Sequence, residues 1–421
     1  MTFKTVFHAE YQMSHYKEPV YGVLADSRLE ASLTKGQTIE RTFASDVDTN
    51  DMGGDGSYSP QAITDTAETL TIAFEKESSI YIKNLDELQA HLPVRKKYGQ
   101  KLGNALVNQI DGDLLYAVYQ GAGTTLDDGD FAGTDGNGFA VTSSNVATMF
   151  VKTAEKMRLK NVMYNKRFRP SAGMKMEVPE GMPTAVITPE ILSAIELYIG
   201  GKETLLGDQA TRNGYAGYFH SFEVFVSNAL AWTATLELPT IPTDTDVMSI
   251  NGVVLTADAD GAAVGAGHYS IEGNVDAAAA NLVLLINGTG TPGVDTYIEL
   301  SAADRKKLKN ITASYDASTN LLTLVSKGHG AVPVDETFTA AGNIFTVGKE
   351  KVHCIFAMSK CISLVIQKYP SMVENFVSRK IGKDFIAWTA YGMKVFTDQA
   401  PMIVTVSVDA TASTGAATVV N

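Results

Sequence analysis

The chain has 421 residues, too many for one ordinary core, so two or three folding units are expected. A hydrophobic fraction of 45% with 9% aromatics excludes a disordered chain. A net charge of −13 excludes a protein that grips nucleic acid by bulk positive charge.

Residues 1–20 lack the apolar core of a signal peptide, and no run approaches the ~18 apolar residues of a membrane span. A soluble protein made in a cytoplasm is expected. Residues 1–32 have mixed polarity and no strong period, and read as an N-terminal arm that gains order on a neighbour. Residues 36–82 read as one long hairpin. QTIERTFAS leads out, and TLTIAFEKESSIYIK returns with Leu70, Ile72, Phe74, Ile80 and Ile82 alternating. Its tip carries Asp46, Asp48, Asp51 and Asp55 among glycines, without regular calcium-ligand spacing. A hairpin standing off a domain is marginal alone, so its apolar side is expected to rest on another subunit.

The strongest helix signal follows. Asn84 suits an N-cap, Asp86 and Glu87 its first turn, and Pro93 marks a restart. From Val94 to Gln120 the apolar Leu102, Leu106, Ile110, Leu114 and Val118 recur every four residues. Gly99, Gly103 and Gly112 weaken this helix and permit close contact with a sheet beneath it. Residues 125–138 form an acidic loop in which Asp128, Asp130 and Asp135 lack the closing bidentate glutamate of a calcium loop. A second helix, 144–160, shows Val146, Phe150, Ala154 and Met157 on one side. Lys166, Arg167 and Arg169 make a small basic patch without aromatic partners, read as a solvated loop. Thr184–Ile187 reads as a strand, with Thr188 and Pro189 opening the helix after it.

Residues 212–230 and 352–406 read as two parts of one β-rich layer, interrupted by residues 235–349. This block has its own apolar set: a strand SINGVVLTA, a strand or turn HYSIEG, helices capped by Asn274 and Ser301, and a hairpin turning at DASTN. A small inserted domain is expected, which requires a rigid host with nearby loop ends.

No pattern for chemistry stands out. Cys354 and Cys361, the only two cysteines, read as buried reduced thiols because two ligands do not make a zinc site. None of His8, His15, His91, His220, His268, His329 and His353 sits in a metal-protease pair, and nucleophile-elbow and phosphate-loop patterns are absent. Asp111 and Asp113 lie two apart on the long helix and so on different faces, and are expected as solvated charge. No catalytic, cofactor-binding or metal residue is therefore assigned, and no enzyme is expected.

The order of elements, with TAVITPEIL, then Gly214, Gly217, Phe222, Val224, Val226, Ser227 and Asn228 in GYAGYFHSFEVFVSN, then YGMKVF and PMIVTV, resembles the major capsid protein of tailed bacteriophages, the Hong Kong 97-type fold. The resemblance covers most of the chain outside the insertion. It implies an α+β fold with an N-terminal arm (1–32), an extended loop hairpin (33–83) and a peripheral domain with a spine helix (84–183). The first part of an axial domain (184–234), the insertion domain (235–349), and the axial remainder with a return to the peripheral domain (350–421) complete it. It implies hexamers and pentamers of the chain in an icosahedral virion shell around double-stranded DNA, assembled in a bacterial cytoplasm. Portal and decoration proteins are implied partners, and no membrane or cofactor is. Two departures stand out: residues 163–180 are longer than the usual link, and no long helical N-terminal scaffold segment is evident. A separate scaffolding protein is therefore expected. Two alternatives remain, a bacterial nanocompartment shell and a surface-binding adhesin that uses the insertion.

Overall fold

The structure is a computed structural model that describes residues 19–30, 36–44, 47, 49–51, 60–63, 65–83, 94–163, 181–200, 217–259, 265–293, 295–346, 348–376 and 381–410. The expectations for the arm before residue 19, Asp46, Asp48, Asp55, Asn84, Asp86, Glu87, Pro93, the basic patch and the C-terminal tail fall outside them. The chain divides into two compact units, Met1–Ile110 with Lys360–Pro401, and Asp111–Ser359 with Met402–Asn421.

In the first unit a helical turn α1 (Tyr21–Leu24) leads into the short strand β1 (Ala25–Asp26). β2 (Thr38–Ala44) and β3 (Asp65–Thr71) form a hairpin in register from Thr38↔Thr71 to Ala44↔Asp65. β4 (Phe74–Lys83) starts after Ile72 and Ala73 but joins a different sheet. The returning arm of the expected long hairpin is thus two strands, because the ladder with β2 ends at Thr71 while β4 pairs a strand from the other end of the sequence.

The long helix α2 (Val94–Gln120) has the expected bounds, encloses the apolar repeat from Leu102 to Val118, and spans roughly 40 Å. Its first half belongs to the first unit, where Leu102 and Leu106 pack on Ile82, Phe385 and Ala387. Its second half belongs to the other unit, where Asp111 to Leu115 are buried without a break. A helix covered on every side leaves no solvated face. This overturns the expectation for Asp111 and Asp113, which are 0% and 8% exposed.

The second unit continues with β5 (Thr124–Leu126), α3 (Val146–Leu159), β6 (Pro183–Ile187), α4 (Pro189–Gly200), β7 (Tyr218–Phe219), β8 (Phe222–Val226) and β9 (Trp232–Glu237). In α3 the predicted Val146, Phe150, Ala154 and Met157 are all buried. Thr188 precedes α4 but does not cap it through its hydroxyl, which is buried without a partner; its carbonyl instead accepts from Leu192 N–H. Next come β10 (Val247–Ile250), β11 (Val253–Asp258), β12 (His268–Ser270), α5 (Val275–Asn287) and α6 (Ala302–Lys307). The run expected as one strand, SINGVVLTA, is two. Asn251 and Gly252 take φ of 51° and 70°, the two left-handed positions of a tight hairpin turn. Asn274 and Ser301 cap their helices as expected, each accepting from the backbone three residues on. β13 (Ile311–Asp316), β14 (Leu321–Ser326), β15 (Val334–Glu336), β16 (Ile344–Phe345) and β17 (Lys351–Met358) follow.

β18 (Ile362–Phe376) and β19 (Gly382–Lys394) return to the first unit, and β20 (Ile403–Asp409) closes the second. The first unit holds a sheet in the order β1-β18-β19-β4 and the separate pair β2-β3. The second holds a small sheet, β12-β11-β10-β15, and a ten-stranded sheet along β13-β14-β9-β17-β6-β8-β7. In the large sheet β16 adds to β9, β20 to β17, and β5 to β20. Within the segment 235–349, β14 pairs with β9 from Leu321↔Glu237 to Ser326↔Trp232, so the large sheet runs unbroken into this segment, while β10, β11, β12 and β15 form its own small sheet.

β13 is the last strand of the large sheet, and its outer edge is closed in part by a side chain. The Asn287 amide donates to Ala313 O at 2.9 Å and accepts from Ala313 N–H at 2.8 Å, as a neighbouring strand would. Open edges invite pairing with other chains. We expect Asn287→Ala to cost about 1–2 kcal/mol and to raise light scattering during refolding. Equal urea midpoints and equal scattering would refute this.

Candidate assembly surfaces

The residues examined for chemistry are placed first. Cys354 and Cys361 are free and fully buried, and burial pushes both thiols up to about 12. His353 is buried between strands. One ring nitrogen meets Thr233 Oγ1 at 3.0 Å, the other meets Ser407 Oγ at 3.0 Å, and the ring stacks on Tyr119 with centroids 4.0 Å apart. Burial, then Lys351, lowers its pKa to about 3, so the ring is neutral at every ordinary pH. A serine–histidine contact this deep gives substrate no approach, since His353 and Ser407 are each 2% exposed. It acts as a structural polar crosslink between β9, β17 and β20.

The acidic loop folds on itself. The Asp127 carboxylate accepts from Gly129 and Gly136 N–H, and Asp128 accepts from Thr134 N–H. Asp130 meets Lys156 at 3.4 Å. Asp51 at the hairpin tip is exposed. Among the described residues no cluster of His, Cys, Asp or Glu is arranged to hold a metal ion, and no helix is long and apolar enough to cross a membrane.

One carboxyl carries a charge penalty. Glu350 lies half-buried just before β17, and burial, then Asp409, raises it from an ordinary 4.5 to about 7. A carboxyl with a raised folded pKa favours folding while protonated. Its contribution is full below about 4.5 and is lost as pH rises through about 7. Glu350→Gln should therefore leave the melting temperature unchanged near pH 4 and raise it at pH 8. After allowance for solvent reaching the group, the gain is about 1 kcal/mol. A difference between variant and parent that stays flat across that pH range would refute the assignment.

What remains on the surface is suited to packing. In the first unit, one face of β18 and β19 covers α2, while the other presents Val373 and Trp388, 43% and 39% exposed. The Lys368 ammonium lies 5.7 Å from the Trp388 ring centroid. Tyr369 and Ile381 are also exposed on these strands or at their ends. In the second unit Val151 and Leu159 of α3, Leu197 of α4 and Tyr218 of β7 are exposed. Apolar groups of this size in water mark contact surfaces.

The β2–β3 hairpin corrects the expectation made for it. Its apolar side does not await a neighbour: Ile39 and Leu70 pack with Ile72, Val365, Ala390 and Phe396 of the chain's own first unit. Its outward side is polar, with Thr38, Glu40, Thr42, Thr69 and Thr71 exposed. Its base is held by side chains that periodicity could not find. Arg41 makes a two-pronged contact with Asp398, one bond being 3.1 Å, and its guanidinium lies 5.1 Å from the Phe396 centroid. Glu68 accepts from Thr397 N–H at 3.2 Å and from its hydroxyl. Lys394 donates to Thr69 O at 3.1 Å, and Gln367 to Gly36 O at 2.9 Å.

No protein-family model matches the sequence, and no curated protein matches it. Solved structures do. A structure of Mycobacterium phage Che8 is 10% identical, covers 96% of each chain and has a TM-score of 0.56. The capsid of the cyanophage P-SCSP1u is 12% identical over 96% of this chain and 93% of that one, with a TM-score of 0.51. The mature capsid of bacteriophage PhiM1 is 8% identical over 97% and 93%, with a TM-score of 0.50. At such identities it is the path of the backbone that is shared, over nearly the whole length, and the chain has the α+β fold of a tailed-phage major capsid protein.

Proposed function

We propose that the chain is the major capsid protein of a tailed phage, a structural subunit that packs with copies of itself into the virion's icosahedral shell around double-stranded DNA. The observation that carries this reading is likeness to capsid structures across 96–97% of the chain. The role is mechanical and requires no catalysis. The acidic balance of −13 suits it, because a shell filled by a motor need not neutralise phosphate and gains from not adhering to it. On this reading 33–83 is the extended loop, 84–183 the peripheral domain, and 184–234 with 350–421 the axial domain and the return from it. Residues 235–349 are an insertion that shares the axial sheet. Hexamers and pentamers form in the host cytoplasm with a separate scaffolding protein, and portal and decoration proteins complete the particle.

Negative-stain electron microscopy of the purified protein, expressed alone and with its neighbouring genes, tests this. Closed shells of uniform size are expected. Discrete monomers or small oligomers under every condition would overturn the proposal.

A further inference from the structure

The chain holds four Asn-Gly pairs: Asn137-Gly138, Asn213-Gly214, Asn251-Gly252 and Asn287-Gly288. In such a pair the glycine nitrogen can attack the asparagine Cγ, because no side chain follows to hinder it. The fold treats the pairs differently. Asn213-Gly214 lies outside the described residues. At Asn137 the nucleophile is held: Gly138 is buried, and its N–H donates to Gly348 O at 2.8 Å. At Asn287 both reacting groups are held. Gly288 N–H donates to Leu284 O, and the carboxamide bonds Ala313 at both ends.

Asn251-Gly252 is the exception. It forms the two-residue turn between β10 and β11, and Gly252 is exposed. Among the described residues Gly252 N–H meets no backbone acceptor. The carboxamide is held at one end only, by Nδ2 donating to Lys307 O at 2.9 Å.

We propose that Asn251 is a site of spontaneous modification, which loses ammonia to become an acid while the fold keeps Asn137 and Asn287 intact. Gly252 N bonds to Asn251 Cγ and closes a five-membered imide. The Cγ–Nδ2 bond breaks, and Nδ2 leaves as ammonia with the proton that Gly252 N gave up. Solvent water then opens the ring. Cleavage between Cγ and the Gly252 nitrogen gives aspartate. Cleavage at the Asn251 main-chain carbonyl gives isoaspartate, with the chain running through Cγ. Either acid has no hydrogen to give Lys307 O, the last carbonyl of α6, and sets a negative charge against it. The tie between α6 and the β10–β11 turn is then lost. Isoaspartate also lengthens the main chain by one carbon, in a turn that has room for two residues. The site belongs to the single chain, and goes beyond the shell-subunit reading without depending on it.

The purified full chain is kept for days in mildly alkaline buffer, folded or in urea. Acid quenching, pepsin digestion and mass spectrometry then read amide-to-acid conversion at each asparagine. In the folded chain Asn251 should convert first. Asn137 and Asn287 should lag at least about tenfold, since a held N–H reacts only from a locally opened state. In urea the three should converge to within a few-fold. Equal rates in the folded chain overturn the proposal, as does the same ranking in urea, which would assign selectivity to local sequence. Asn251→Gly keeps a turn-forming pair and should show no conversion at 251. The consequence is read separately on Asn251→Asp by hydrogen exchange. Faster exchange in 302–308 than in the parent is expected, and unchanged exchange there overturns the loss of the tie. No readout involves assembly, so failure here and failure of the shell reading are told apart.

Discussion

Phe150→Ala will cost about 3–5 kcal/mol of folding stability, the largest loss expected from any single substitution considered for this chain. Phe150 is fully buried on α3 where helix meets sheet. Its ring meets Phe219 at 4.9 Å, Phe222 at 5.9 Å and Phe356 at 5.0 Å between centroids, each edge to face. Phe222 and Phe356 meet each other at 5.3 Å. Four rings from α3, β7, β8 and β17 thus lock edge to face, a geometry that adds to burial alone. Three of them are held on strands of one sheet and cannot collapse into the space the fourth leaves. Phe150→Leu keeps most of the volume and should cost less than half as much. Urea unfolding followed by tyrosine fluorescence reads both. Alanine and leucine variants of equal stability would mean the site relaxes and the rings are not interlocked.

Two glycines of one helix should answer the same substitution with opposite signs. At Gly103 a Cβ meets nothing within 4 Å, so Gly103→Ala should stabilise α2 by up to about 1 kcal/mol through backbone entropy. At Gly112 a Cβ would lie 2.9 Å from Gly328 Cα. Gly328 has φ of 77° and anchors the turn after β14, where Lys327 stacks 4.4 Å over the Tyr116 ring. Neither backbone can step aside cheaply. Gly112→Ala should therefore lose about 1–3 kcal/mol net of the helix gain. Thermal melts of the two variants side by side decide the matter, and a shared sign would show that helix propensity alone governs α2.

These glycines also mark how far local sequence reached. The helix α2 was legible because its apolar residues repeat every four positions, and the caps Asn274 and Ser301 because a polar residue before an apolar run has few other uses. The sequence also pointed to close approach at glycine, but not that Gly112 alone achieves it, or that its partner is the turn after β14. Asp111 and Asp113 were misread because angular spacing separates faces only where one face is wet, and here neither is. The β10–β11 hairpin was missed although Asn251-Gly252 is a strong local turn signal: the apolar alternation on both sides hid it. The pairing of β14 with β9 and the contact of Arg41 with Asp398 were out of reach for another reason. They join segments far apart along the chain, and no local period encodes them. Architecture came through the resemblance, whereas the contacts of Arg41, Glu68 and Lys394 at the hairpin base came only from the folded geometry.

The large sheet is also of uneven width. β14 and β9 are joined over six register pairs, and β17 and β20 over seven. Between β9 and β17 the ladder narrows to two, Thr233↔Lys351 and Trp232↔Val352. The Thr233–His353 bond and His353 N–H to Ala231 O reinforce this waist. Tension applied across the strands concentrates where the fewest hydrogen bonds share it. Across this waist β9 carries β13, β14 and β16 on one side, and the neutral imidazole of His353 bridges it to β17 and β20.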